Sequence, residues 1–468
     1  MSFFKKYSTL LVIILSVICY FFFAYFLERT QFYIVSFLWI ALFSGFYLLL
    51  QNKNSSFKNL IIVAILFRCI FLFATPNLSQ DFYRFIWDGR MLLNGFNPYL
   101  SLPETFIQLN LQPIAEASIL YDGMGDLNGS HYTNYPPLNQ FCFFIAALFA
   151  NKSIFGSIIV LRVLIILADI GILYFGIKLL ERLNLPARNI FWYFLNPFII
   201  IEMTGNLHFE PVMLFFLVWA LYKLHQKQWI LAAILISCSV SVKLIPLLFL
   251  PLFFQWFINQ DNNGTKTKNF EGRKEFFLSK FSLFKIAKLS LFYIIILTIT
   301  ILLFLPFYTP ELIRNYSSSV SLWFKDFEFN GSFYYIFREI GYLFSGYNEI
   351  AFIGKTTPVL TVLFLLYLTF LKRNKTFVQL ITAMLFGLCF YYFTATTVHP
   401  WYLATPLILC VFTKYKFPII WTLVIILTYQ AYANNPWKEN LWFVFIEYLI
   451  VFSFLIYEIL YHLKLKKL

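Results

Sequence analysis

The chain has 468 residues, 60% of them hydrophobic and only 12% charged, with a mean hydropathy of +0.73; a soluble domain carries about 25% charged residues, so a water-soluble globule is excluded. The formal net charge of +14 invites a nucleic-acid partner, but Lys and Arg gather in short gaps between apolar runs, as at Lys53, Lys58, Lys372, Arg373 and Lys375, without any groove-reading motif. The six cysteines (Cys19, Cys69, Cys142, Cys238, Cys389, Cys410) sit inside apolar segments without metal-ligand spacing, which excludes a disulfide framework or zinc site.

Apolar runs long enough to cross about 30 Å of hydrocarbon recur from end to end. The first, 8–27, follows Lys5 and Lys6. It is too long for a signal-peptide core and lacks a small-residue cleavage site, so an uncleaved anchor is predicted. With the basic gaps placed in the cytoplasm, spans at 8–27, 32–50 and 59–75 lead to a long outer segment, 76–157. Further spans follow near 158–180, 190–203, 209–224, 228–242 and 245–258. A basic cytoplasmic loop then covers 259–285, with Lys266, Lys268, Arg273, Lys274, Lys280 and Lys285. After a span near 286–307 comes a second outer loop, 308–355, and spans near 357–371, 376–394, 401–413, 416–431 and 441–461. The chain closes on a basic tail with Lys464, Lys466 and Lys467.

The reading is an all-α polytopic membrane protein of about fourteen spans, a single domain over 1–468 with both termini in the cytoplasm. The apolar run 141–150 is too short to cross and is placed as a juxtamembrane or re-entrant helix. Counting it as a span would put Lys178, Arg182 and Arg188 outside, against the positive-inside bias. Neither an internal repeat nor an inverted pair of broken helices is visible, which argues against a transporter.

The first outer segment carries DFYRFIWDGRMLLNGFNPYL over 81–100. As a helix it places Asp81, Arg84 and Asp88 on one face and Phe82, Ile86 and Leu93 on the other, with Gly89 between. Such a helix is expected to lie along the membrane surface, its carboxylates turned toward an outer cavity. Asn97-Pro98 ends it. HYTNYPPL, over 131–138, fixes a rigid approach through Pro136-Pro137 into the short apolar helix.

Charges within spans are expensive unless paired or functional. Arg68 lies in the third span, and Arg162 and Asp169 share a face of the fourth, where a mutual or bridged pairing is expected. Glu202, His208 and Glu210 flank an outward turn, and Lys243 stands at the outer end of the seventh span. TVHPWYL, over 397–403, puts His399 at an outer helix mouth beside Trp401 and Tyr402. Trp and Tyr alone would read as an interfacial belt; the His-Pro pair is less easily explained that way.

Taken in order, DFYRFIWDGRMLLNGFNPY, YPPL, the Arg162/Asp169 helix, GNLHFEPVMLFFLVWAL, VKLIPLLFLPLF and VHPWYL resemble the GT-C membrane glycosyltransferases. The closer likeness is to the branch using polyprenol-phosphate mannose as donor. It covers roughly 68–250 and a patch near 398–403. The resemblance implies a GT-C-like bundle and an essential acid at the start of the first large outer loop, here Asp81. The family's G-H-F-D-like turn stands here as Asn206-Leu207-His208-Phe209-Glu210, with Glu where Asp is commoner.

The chemistry that follows is mannosyl transfer from a polyprenyl-phosphate donor to a glycan or glycolipid acceptor, in a multi-pass bacterial inner-membrane protein whose site faces the periplasm. Asp81 would serve as general base, with Arg84 and Asp88 beside it. Lys243, Arg162 and His399 would stabilise the departing phosphate. Tyr135, His208, Glu210, Trp401 and Tyr402 would line the substrate cavity. A single carboxylate acting by one displacement inverts the anomeric centre. A divalent cation between Asp81 and Asp88 would have a thin ligand set, and no metal is assigned. The competing readings are a lipid-linked oligosaccharide polymerase or ligase, which should carry an outer loop richer in Arg and His, and a glycan or lipid transporter, which should carry mid-membrane ionisable residues.

Overall fold

The computed structural model describes residues 2–52, 55–259, 274–325 and 327–465. Positions 260–273 of the expected basic loop, and Lys466 and Lys467 of the tail, lie outside the described residues. Among the described residues the protein is helical throughout. Its isolated extended contact is a parallel bridge between Phe329 and Thr397.

Helices α1 (Ser2–Tyr25), α2 (Phe32–Gln51) and α3 (Phe57–Ile70) open the chain. Ser56 starts α3 by accepting the Asn59 amide at 3.1 Å, a usual N-cap arrangement. The next region holds α4 (Asp81–Leu93), α5 (Pro103–Gln108), α6 (Ala117–Gly129) and α7 (Pro137–Ala150), followed by the long α8 (Ile154–Arg182). Short α9 (Phe191–Phe194) leads into a wide-turned stretch, Ile199–Gly205, which meets α10 (Glu210–His225) at a bend of 112°. Then come α11 (Trp229–Val240), a tight 3-10 stretch at Ile245–Leu252, α12 (Phe253–Asn259) and α13 (Lys274–Phe304). The second loop folds as α14 (Pro310–Lys325) and α15 (Ser332–Ser345). The chain ends with α16 (Ile350–Leu366), α17 (Phe377–Thr394), α18 (Ala404–Val411), α19 (Phe417–Val424) and α20 (Leu441–Leu465).

Nearly every residue from 190 to 214 is buried, as expected of helix that is apolar all round. Around this core, large side chains such as Phe37, Phe149, Val362 and Trp442 face outward. Six helices among the described residues are long and apolar enough to cross a bilayer, or seven with the bent pair. Together these describe a multi-pass membrane protein. Length alone does not yield the fourteen expected spans, because several apolar segments are short or broken by proline. Pro246 and Pro251 lie in the 3-10 stretch, Pro400 precedes α18 and Pro418 opens α19; each removes a backbone donor and resists continuous helix.

The α4 expectation needs correction. The helix forms over the expected residues, but it is enclosed by protein instead of lying with its apolar side among headgroups. Phe82, Arg84, Phe85, Ile86, Trp87, Asp88, Gly89, Arg90 and Met91 are all buried. One side stacks on α7 through Phe85 and Phe143, with ring centroids 4.7 Å apart. The other is covered by α5, α6 and the segment leading to α7.

Candidate active site

Asp81 is the first residue of α4 and is half-buried. Its backbone N–H donates to Ser79 Oγ at 3.3 Å, and its Oδ1 accepts from Asn128 Nδ2 at 3.4 Å. Burial pushes the carboxyl above its usual range; Lys243's charge and the Asn128 hydrogen bond oppose this, Glu210's charge reinforces it, and Arg29's charge opposes it more weakly.

Arg84 and Asp88 work one layer behind. Arg84 Nε donates to Asp88 Oδ1 at 2.8 Å, and Gln140 Nε2 donates to Asp88 Oδ2 at 2.9 Å. Arg84 Nη1 also donates to the carbonyls of Asn128 at 2.5 Å and His131 at 3.0 Å. The pair therefore fastens the strap that carries Asn128 and His131 to the back of α4. Neither Arg84 nor Asp88 lines the cavity. Both Asp88 oxygens accept hydrogen bonds, from Arg84 and Gln140, and no three His, Cys, Asp or Glu side chains among the described residues converge to hold a metal.

Asp81 opens onto a cavity of about 720 Å³. The opposite wall is built by three chain ends. Pro136 and Pro137 lack N–H groups, so the first free amides of α7 are Leu138 and Asn139. These reach back to the Ser241 carbonyl at 2.9 and 3.3 Å, pinning the α11 end beside Tyr135 and presenting Lys243. Lys243 pairs with Glu210, the first residue of α10. His208 stacks on Trp401 at 3.9 Å, and Trp401 stacks on His399 at 4.5 Å. Tyr402 meets the His399 ring edge-on at 5.5 Å. The bridge from Phe329 to Thr397 holds this column, with the Val398 amide donating to the Phe329 carbonyl at 2.8 Å. Tyr135, His208, Glu210, Trp401, Tyr402, Lys243 and His399 thus all line the cavity with Asp81.

Two expected phosphate ligands are placed differently. Arg162 is fully buried and absent from the cavity wall. Its guanidinium donates to the carbonyls of Thr204 (2.8 Å), Gly205 (2.9 Å) and Leu72 (3.1 Å). It closes the end of the broken helix, where carbonyls lack helical partners and a cation suits the dipole. It does not pair with Asp169, which accepts from Arg68 at 2.8 Å and from Tyr193 at 3.1 Å. His399 does line the cavity, but burial first and Lys243's charge second lower its pKa to about 3. It is a neutral imidazole at physiological pH, not a cation. Glu202, buried and hydrogen-bonded by Tyr429 at 2.5 Å, also lies outside the wall.

Arg29 is the residue that sequence reasoning missed. It lines the cavity, donating through Nη2 to Gln80 Oε1 at 3.0 Å and lying 5.0 Å over the Tyr432 ring. Its signal was present: an arginine at the far end of the first apolar run, on the side that positive-inside counting calls outer, runs against that bias.

Away from this polar end the cavity turns apolar. Leu247 and Leu248 of the 3-10 stretch, Pro358 and Val362 of α16 and Val320 of α14 form that arm. Leu247 and Val362 of this arm are themselves exposed.

Residues 18–259, just over half the chain, match the profile of a family described as alpha-(1->6)-mannopyranosyltransferase, N-terminal domain. Over 194 residues the chain is 25% identical to alpha-(1->6)-mannopyranosyltransferase A of Corynebacterium glutamicum, covering 40% of this chain and 36% of that relative. The match thus spans little more than a third of the relative's length. Arg29, Asp81, Tyr135, His208, Glu210 and Lys243 fall inside the profile's range, whereas His399, Trp401 and Tyr402 lie beyond it.

Proposed function

The chain belongs to the alpha-(1->6)-mannopyranosyltransferase family, and from that premise we propose that it moves a mannosyl residue from a polyprenyl-phosphate donor to a glycan or glycolipid acceptor on the non-cytoplasmic face. One observation carries the reading: a single cavity joins the half-buried carboxylate of Asp81, the ammonium of Lys243 and an apolar arm with the exposed side chains of Leu247 and Val362. A lipid-linked sugar needs those three surroundings at once.

In this reaction the polyprenyl chain enters along Leu247, Leu248, Pro358 and Val362. Its phosphate stops at Lys243, which Glu210 holds in place. Asp81 takes the proton from an acceptor hydroxyl as that oxygen bonds to the mannosyl C1. The C1–O bond to phosphate breaks, and polyprenyl phosphate leaves with the electron pair. Lys243 receives the developing negative charge where water is scarce. One displacement inverts the anomeric centre. His399, neutral in the stack with Trp401, supplies a hydrogen-bonding edge instead of charge. No step is assigned to a metal.

Purified protein in liposomes should transfer labelled mannose from a polyprenyl-phosphate donor, and Asp81→Asn should abolish transfer while leaving folding intact. Transfer from GDP-mannose in liposomes free of lipid-linked sugar would overturn the donor assignment. The face is tested separately with single cysteines at Gln108 and Gly264. An impermeant thiol reagent should label the first in intact cells and the second only after lysis.

A further inference from the structure

A second groove of about 540 Å³ lies at the same end of the bundle, within the size range of small-molecule sites, roughly 300–1,000 Å³. It is bounded by the turn between α1 and α2 and by the segment joining α19 to α20. Resting on the proposed function, we infer that this groove binds the non-reacting sugars of an oligosaccharide acceptor whose terminal hydroxyl lies at Asp81.

Arg29 and Tyr432 line the main cavity and touch each other by the cation–π contact at 5.0 Å. Their chain neighbours Thr30 and Gln31, and Ala433 and Asn434, line the second groove. The two spaces therefore stand on either side of one partition, and an extended ligand can engage both across it.

The polar side chains of the groove are amides and hydroxyls, from Thr30, Gln31, Tyr33, Gln430, Asn434 and Asn440, and none of its lining residues is charged. That suits a neutral ligand rich in hydroxyls and suits neither a phosphate nor a metal ion. Amides offer donor and acceptor in fixed geometry, which matches the paired donor and acceptor character of sugar hydroxyls.

The groove also holds an orphaned donor. Gln430 is only 5% exposed. Its Oε1 accepts from Asn434 Nδ2 at 3.3 Å, but its Nε2 is buried without any hydrogen-bond partner. A buried polar group left in that state costs free energy, and a sugar oxygen in the groove would satisfy it. Beside it Tyr33 stands 84% exposed, an aromatic face available to the apolar side of a pyranose ring.

The test uses full-length Asp81→Asn protein in nanodiscs, so that binding is read without turnover. A linear 1,6-linked mannotetraose and methyl α-mannoside are compared by saturation-transfer NMR and calorimetry. The tetrasaccharide should bind more tightly than the monosaccharide. Gln430→Met should weaken the tetrasaccharide about tenfold, the loss of one good hydrogen bond, and leave methyl α-mannoside unchanged. Tyr33→Ala, at an exposed position where folding is not at stake, should weaken it severalfold and decides the matter if Gln430→Met fails to fold. Equal affinities for the two sugars, no binding of either, or a tetrasaccharide affinity indifferent to these substitutions would overturn the inference. Failure of the wild type to use a polyprenyl-phosphate donor would instead strike the proposed function, and oligosaccharide binding would still report on the groove.

Discussion

Arg68 donates its Nε to Asp169 at 2.8 Å, and solvent reaches neither side chain. The pair ties α3 to α8, and Arg68 extends the tie by donating to the Phe194 carbonyl at 2.7 Å. Removing one partner strands a buried charge, which costs about 3–5 kcal/mol, whereas replacing both with apolar groups of similar volume is often nearly neutral. Asp169→Ala should therefore lower the midpoint of unfolding in detergent sharply, and Arg68→Met with Asp169→Leu should recover most of the loss. A double variant as unstable as the single one would show that the tie itself, and not the stranded charge, holds the helices.

Arg162 and Lys243 separate cleanly by experiment. Arg162→Met leaves three carbonyls without their donor, at about 1–3 kcal/mol for each that stays unsatisfied. Folded yield should fall, while the surviving protein keeps a near-normal KM for the lipid donor. Lys243→Met paired with Glu210→Gln removes the ion pair without leaving a buried charge. That variant should fold, yet turn over on the order of 10²–10³ times more slowly, the usual loss for a preorganised charge-stabilising group. Steady-state kinetics beside thermal unfolding read both. A normal rate for the Lys243 variant would remove the phosphate site from this part of the wall.

Sequence order already pointed to Asp81, Lys243 and the His399–Tyr402 corner, because each sits just beyond an apolar run where a chain end must emerge. The short helix α7 was legible from its length, an apolar run too short to cross. Tyr135 and Pro136 before it line the same cavity as His208 and Glu210 after it. Partners were not legible. Arg162 and Asp169 share a helix face, but which group meets each depends on α3 and on the 112° bend, neither of which leaves a local signature. Arg84 and Asp88 do share a face as read, yet that face is covered by the 128–131 strap instead of opening to a cavity. Burial on both sides of one helix is a tertiary outcome that the periodicity of α4 alone does not contain.

Gly89 faces the Phe143 backbone so closely that an added Cβ would overlap the carbonyl group. Backbone cannot move aside as a flexible side chain can, so α4 and α7 must separate. Overpacking of this kind costs about 1–3 kcal/mol, and more where relaxation is blocked. Gly89→Ala should reduce both thermal stability and transfer, since Asp81 and Tyr135 ride on the two displaced elements. Wild-type activity and stability in Gly89→Ala would mean that this contact does not set the cavity.

The acid side of the pH profile tests Asp81 most directly. As general base it must be ionised, so transfer should rise with pH as its carboxyl loses a proton. Burial raises that pKa, which places the acid limb above the ordinary aspartate value of about 3.9. The neighbours set the direction of each shift. Asn128 donates to the carboxylate at 3.4 Å, so Asn128→Ala removes support for the ionised form and should move the limb to higher pH. Glu210 opposes ionisation and also neutralises Lys243. Glu210→Gln should therefore free Lys243's charge to act on Asp81 and move the limb to lower pH. The donor phosphodiester stays ionised throughout this range and adds no limb of its own. The measurement is kcat/KM against pH in liposomes, which reports the free enzyme. Opposite shifts in the two variants would identify Asp81 as the titrating base, and an acid limb that stayed put in both would assign proton removal to another group.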